Sequence, residues 1–247
     1  MVSPYRYHEI SESTRRVLNP ISLEKLLLLG DICGVGPGTR VLDLACGKGE
    51  MLCRFAERGA TGVGVDLYGP FLEIARERAD RLGVGGRLEF IEGDAAKPPG
   101  VTGTFGVAAC IGATWIGGGL AGTLALLADW LAQGGWVLVG EPYWAEQPSE
   151  GLRSDFESRQ DFADLAGTLD RFEEAGFDLV EMVLASHDDW DRYAASQWLN
   201  VADWLRAHPA DPDASAMRQE NAASRRSYLA EQRRCLGWGV FVLREVS

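Results

Sequence analysis

Short continuous apolar blocks recur near residues 40–45, 62–66, 87–92, 104–111 and 135–141, and between them apolar positions fall at three- and four-residue spacing near 49–58, 69–82 and 119–132. Blocks of the first kind predict strands buried on both faces, and segments of the second predict amphipathic helices. Their regular alternation predicts an α/β fold with a parallel sheet and right-handed crossovers. A further helix is expected over 161–175, stopped by Gly176, followed by a sixth strand over 177–185 and a last strand over 238–246. Ahead of the sheet, 11–18 and 22–33 read as two helices broken at Asn19-Pro20, the second leucine-rich and expected to lie on the sheet. Residues 145–155 read as a polar loop. Residues 188–237 read as two helices, near 189–206 and 213–235, broken at His208-Pro209 and Asp211-Pro212. The expected organisation is one domain, with N-terminal helices over 1–38, a core over 39–187, a helical cap over 188–237 and the last strand over 238–247.

Residues 41–50, Val-Leu-Asp-Leu-Ala-Cys-Gly-Lys-Gly-Glu, are the first place where the pattern carries chemistry. An apolar strand breaks into a turn with two glycines and then into a helix, the arrangement in which a backbone approaches a nucleotide. The next strand, 62–66, ends in Asp66, placed to accept hydrogen bonds from two ribose hydroxyls. A dinucleotide fingerprint would need a third glycine where Leu52 stands, so a pyrophosphate is disfavoured.

At these residues the chain resembles the class I S-adenosylmethionine (SAM)-dependent methyltransferases. Asp43, Cys46, Gly47 and Gly49 fall on that family's first motif, with Ala45 where a first glycine is commonest. Asp66 matches the ribose-binding acid, and Phe90 to Ala95 matches the third strand with the Asp94-Ala95 pair that reads adenine. Residues 105–111 match the fourth strand and 134–142 the turn and fifth strand. Residues 110–119, 140–144 and 237–241 look like a bacterial subgroup of small-molecule methyltransferases. The resemblance implies a Rossmann-like seven-stranded sheet of order 3-2-1-4-5-7-6 with strand seven antiparallel. It implies SAM as cofactor, held by Asp43, Ala45, Gly47, Gly49, Asp66, Leu67, Asp94, Ala95 and Ile111. It also makes strands six and seven a hairpin interrupted by the 188–237 insertion.

Composition narrows the partners. A formal charge of −12 opposes a phosphate backbone, so nucleic acid is not the expected acceptor. Arg225, Arg226, Arg233 and Arg234 are the densest basic cluster and read as a solvated helix face pairing with Glu220 and Glu231. Five cysteines without a Cys-x-x-Cys pair fit reduced thiols, and the N-terminal stretch lacks an apolar signal core. No apolar run reaches the roughly 20 residues of a membrane span. A cytoplasmic monomer or homodimer without membrane contact is expected. The three histidines and the acids show no metal-ligand spacing, so no metal is expected.

Ligands in open α/β sheets bind beyond the carboxyl ends of the parallel strands. The insertion leaving strand six, with His187, Trp190, Tyr193 and Trp198, is therefore a candidate lid, as is the N-terminal segment with Tyr5, Tyr7 and His8. By the same rule Thr114, Trp115, Tyr143, Trp144 and Trp190 are candidate acceptor contacts. Methyl transfer from a sulfonium needs positioning and desolvation more than a catalytic triad. Glu141 is a candidate general base or else a glutamate bonded to loop amides, and His8 is a second candidate base. The eight tryptophans suit a cation cage, a flat acceptor or plain packing, and do not choose among them. The expected function is methyl transfer to a small molecule on N, O, S or C. The alternatives are a non-catalytic SAM-binding sensor and an NAD(P)-dependent oxidoreductase, which also lacks a visible Tyr-x-x-x-Lys motif.

Overall fold

Seven strands, β1 (Arg40–Leu44), β2 (Thr61–Asp66), β3 (Leu88–Glu92), β4 (Phe105–Ile111), β5 (Leu131–Trp144), β6 (Phe177–Leu184) and β7 (Leu236–Glu245), form one sheet of order β3-β2-β1-β4-β5-β7-β6. The computed structural model describes residues 3–157 and 162–246. Strands β1 to β5 pair in parallel, while β7 runs antiparallel between β5 and β6, which is the order and direction the family resemblance implies.

The period of two along each strand sends successive side chains to opposite faces. Val41, Val107, Leu138 and Val240 join one core with Leu29, Leu52, Phe55 and Leu72, whereas Leu42, Leu44, Val139 and Phe241 join a second with Leu120, Leu124, Leu127 and Phe172. Helices α2 (Leu23–Ile32), α3 (Glu50–Glu57) and α4 (Gly69–Arg81) thus cover one face, and α5 (Leu120–Ala128) and α7 (Leu165–Glu174) cover the other. Both faces of β1, β4 and the middle of β5 are covered, which is why these strands read as apolar blocks.

Several elements differ from the sequence expectation. The first helix, α1, spans Pro4–Ser11 rather than 11–18, because proline is tolerated in a first helical turn and the chain turns after Ser11. In that turn the carbonyls of Glu12 and Arg15 accept hydrogen bonds from Lys48 Nζ, at 2.7 and 3.2 Å. The 145–155 segment contains a helix, α6 (Glu150–Glu157), whose Leu152 and Phe156 lie one turn apart and pack with Trp144. Strand β5 starts at Leu131, and α5 correspondingly ends at Ala128. Helix α7 starts after Asp164, whose side chain accepts from Gly167 N at 2.8 Å, and Asp161, the expected start, lies outside the described residues.

The 188–237 region folds as α8 (His187–Ala207) and α9 (Ala214–Ser227), then a wide π-type turn over Tyr228–Gln232 and a short α10 (Arg233–Cys235). Helix α8 begins in a capping box: Ser186 Oγ accepts from Asp189 N and Asp189 Oδ2 accepts from Ser186 N. The wide turn replaces an unbroken 213–235 helix and lets Tyr228 and Arg233 both reach the Asp191 carboxylate. Arg233 pairs with Asp191 and Arg234 with Glu146, in place of the Glu220 and Glu231 pairs expected for these two arginines.

Candidate active site

The turn after β1 is built from left-handed residues. Ala45, Gly47 and Gly49 have φ of 60°, 53° and 64°. Glycine adopts this region freely, whereas a residue with a Cβ is strained by about 1 kcal/mol or more. A side chain at Gly47 would strike Leu18 Cδ1 at 2.8 Å, and one at Gly49 would strike the Phe90 ring and Ala75. Gly47 therefore lets the N-terminal segment close over the turn, and Gly49 lets α3 sit against α4 and β3. The Asp66 carboxylate spans two turns, accepting from Gly47 N at 2.8 Å and from Tyr68 N at 2.9 Å.

Beyond the carboxyl ends of these strands lies a cleft of about 630 Å³. Asp43, Ala45, Gly47, Asp66 and Leu67 line it, as do Asp94, Ala95 and Ile111. Gly49, the remaining cofactor candidate, does not line it. The Asp43 carboxyl is almost completely buried and takes no hydrogen bond among the described residues. Burial first, and then the neighbouring Asp66, push its pKa well above the carboxylate range. Lys48, which also lines the cleft, turns its ammonium to the Glu12 and Arg15 carbonyls. A cationic ligand group is what this corner of the cleft lacks.

Two elements roof the cleft. From α1, Tyr5 stacks on Tyr68 with ring centroids 5.5 Å apart, and His8 sits edge-on to Phe71 at 5.3 Å. From α8, Trp190 and Tyr193 reach the cleft, and Tyr193 donates to the Leu18 carbonyl at 3.2 Å. The roof elements also hold each other: Asn200 Nδ2 donates to Ser11 O at 2.7 Å, Arg15 caps the Tyr193 ring at 4.6 Å, and Arg6 pairs with Asp211 and Asp213. His8 and Trp190, both singled out from sequence, line the cleft, whereas Tyr7, His187 and Trp198 do not. Burial pushes the His8 imidazole down, favouring its neutral form.

The acceptor candidates divide. Trp115 lines the cleft and is 62% exposed. Glu141 and Tyr143 do not line it, although they lie near the end of β5: odd-numbered positions there face the α5 and α7 side, while Pro142 between them faces the cleft. Glu141 is 1% exposed, accepts from Thr114 Oγ1 at 2.6 Å and lies 3.9 Å from Arg171, and burial raises its pKa to about 7. Trp144 packs edge-on against Phe156 and Phe162 instead of entering the cleft. Thr114 lines a smaller adjoining cavity.

Asn19, Phe71, Pro142 and Trp238 line the cleft without having been singled out. Asn19 was visible only as a helix break; its side chain donates to Ile111 O at 3.2 Å and packs against Gly112. Trp238 carried the signal of a buried aromatic on the last strand but none of its direction.

A family model described as a methyltransferase domain matches residues 41–135, the span from β1 into β5. The structure of a SAM-dependent methyltransferase from Geobacter sulfurreducens in complex with S-adenosyl-L-homocysteine is 45% identical, covers all of both chains and superposes with a TM-score of 0.93. A SAM-dependent methyltransferase from Thiobacillus denitrificans, also with S-adenosyl-L-homocysteine, is 44% identical over all of both chains, with a TM-score of 0.92. The chain belongs to the class I SAM-dependent methyltransferases, and its cofactor is S-adenosylmethionine. Within that class it stands close to the uncharacterised protein YjhP of Escherichia coli K12, 45% identical over 96% of this chain and 97% of that one. The dinucleotide alternative falls with this assignment. No helix among the described residues is long and apolar enough to cross a membrane.

Proposed function

We propose that this methyltransferase acts on a small-molecule acceptor, held in the half of the cleft formed by Trp115, Pro142, Trp190 and Trp238. The observation that carries the reading is the cleft itself. Its volume of about 630 Å³ is of the size that encloses small ligands, and residues of α1 and α8, bonded to each other, line it. The charge of −12 also disfavours a phosphate-rich acceptor.

The residues present fit the cofactor. Two acids, Asp43 and Asp66, face a ligand that carries positive charge and a ribose. Asp66 would hold the ribose hydroxyls, Asp94 and Ala95 the adenine edge, and the unbonded Asp43 carboxyl the amino-acid end. Bound there, SAM supplies a methyl group on a positive sulfur, which needs no acid to make it leave. The chain's own work is then to orient the acceptor and exclude water, for which the Tyr5, His8, Trp190 and Tyr193 roof is placed. Of the two candidate bases, His8 borders the ligand space and is held neutral, able to take a proton from an acceptor N–H, O–H or S–H. Glu141 instead braces Thr114 from behind the cleft wall.

Incubating the protein with methyl-labelled SAM and a metabolite extract, followed by mass analysis, tests the reading. A labelled small product that needs the protein supports it. Label found only on protein or nucleic acid, or SAM bound without turnover as in a sensor, overturns it.

A further inference from the structure

A second cavity, of about 350 Å³, adjoins the cleft. The two share Gly112, Trp115, Pro142, Phe156 and Trp238, so they meet along a common wall. Thr114 and Phe162 complete the smaller one. Its walls are four aromatic side chains, a proline, a glycine and a threonine, none of them charged. The threonine hydroxyl is spent, donating to Glu141 at 2.6 Å, and the Thr114 carbonyl accepts from Thr123 Oγ1 at 2.6 Å.

A polar ligand group placed here would lose water and find as side-chain partners only the indole N–H groups of Trp115 and Trp238, a cost of up to a few kcal/mol for any group that cannot reach them. An apolar group would gain the usual burial energy and flat ring contacts. The opposite end of the main cleft is the charged one, with Asp43, Asp66 and Asp94. The site is therefore polar at the cofactor end and apolar beyond Trp115 and Trp238.

We propose that this side cavity is a specificity pocket for an apolar ring or chain of the methyl acceptor, so that the acceptor is a molecule with a hydrophobic body. The pocket rests on the small-molecule reading above. Its nucleophile would lie at the shared wall of Gly112, Trp115 and Pro142, with the hydrophobic body pointing toward Phe162. Trp115, exposed and common to both spaces, is the wall that a bound acceptor would cover.

Indole and cyclohexanol serve as apolar probes, with glycerol and glucose as polar ones, against protein saturated with S-adenosylhomocysteine so that the cofactor end is blocked. The apolar probes are expected to bind, with saturation transfer from aromatic protons of the protein, and the polar ones not. Phe162→Trp fills the cavity and is expected to weaken indole binding at least tenfold while S-adenosylhomocysteine affinity stays within twofold. Equal binding of both probe classes, or indole affinity unmoved by Phe162→Trp, overturns the proposal. Should that variant not fold, indole soaked into crystals of the unaltered protein decides: density between Phe156 and Phe162 supports the pocket, and its absence there overturns it. A labelled product that is wholly polar would sink this pocket and leave the small-molecule reading standing, whereas no labelled small product would sink that reading and with it the assignment to an acceptor, even where the apolar probes bind.

Discussion

Lys48 offers a direct test of how the cofactor turn holds the roof. It lies between Gly47 and Gly49, is 3% exposed, and its ammonium donates to Glu12 O and Arg15 O. Lys48→Met keeps the aliphatic stem and removes both hydrogen bonds. Hydrogen bonds to a charged group contribute about 1.5–3 kcal/mol each. Two effects reduce the sum: the Glu12 carbonyl keeps a bond from Arg15 N at 3.0 Å, and burial of the ammonium, which pushes its pKa down, is relieved. A loss of about 2 kcal/mol remains, centred on the Arg15 carbonyl, which has no other partner among the described residues. At one factor of ten per ~1.4 kcal/mol, local opening should become about thirtyfold more frequent. Hydrogen exchange read by mass spectrometry should speed up over residues 8–21, with β1 and β4 as the unchanged reference. Exchange over 8–21 within twofold of the parent would refute the idea that this lysine ties the roof down.

Three further outcomes follow from the same structure. The Glu141 pKa is raised from the ordinary 4.5 to about 7, so between those values the folded chain holds a proton that the unfolded chain has lost, and stability falls as pH rises through that window. Glu141→Gln should flatten this dependence by up to about 3 kcal/mol, checked by urea denaturation at pH 5 and pH 7.5; parallel curves would remove Glu141 as the source. Ala45→Gly relieves a left-handed alanine at some cost in chain entropy, and a net gain of about 1 kcal/mol should raise Tm by about 2–4 °C, with a lowered Tm counting against strain at that turn. Asn200→Ala removes the bonds to Ser11 O and from Thr14 Oγ1, and limited proteolysis of the N-terminal segment should accelerate severalfold; an unchanged cleavage rate would show that α8 does not hold it.

Much of the fold was legible because its strands are buried on both faces. Continuous apolar blocks marked β1 to β4 closely, and the helix-spaced segments between them fixed the class. The strand order was legible only through the family resemblance, since block patterns carry no neighbour information. At the site, the turn acids and glycines could be read because backbone conformation and strand ends are local properties. Glu141 and Tyr143 could not be placed correctly by strand end alone, because a single residue of alternation moves a side chain through the sheet. The N-terminal helix was misplaced for another reason: the turn that follows it is tied to Lys48, which comes from a distant turn, and no local pattern records that bond. Phe156 and Trp238 belong to the same class of residue, brought to the cleft wall by tertiary packing.

The central claim is that the β1 and β2 turns grip the cofactor through a carboxylate. Titration calorimetry of S-adenosylhomocysteine against the parent protein and Asp66→Ala measures it directly. A charged acceptor of ligand hydroxyls contributes about 1.5–3 kcal/mol, so affinity should fall at least tenfold while the circular dichroism spectrum is retained. Equal affinity in the two proteins, or no binding by the parent, would contradict the account.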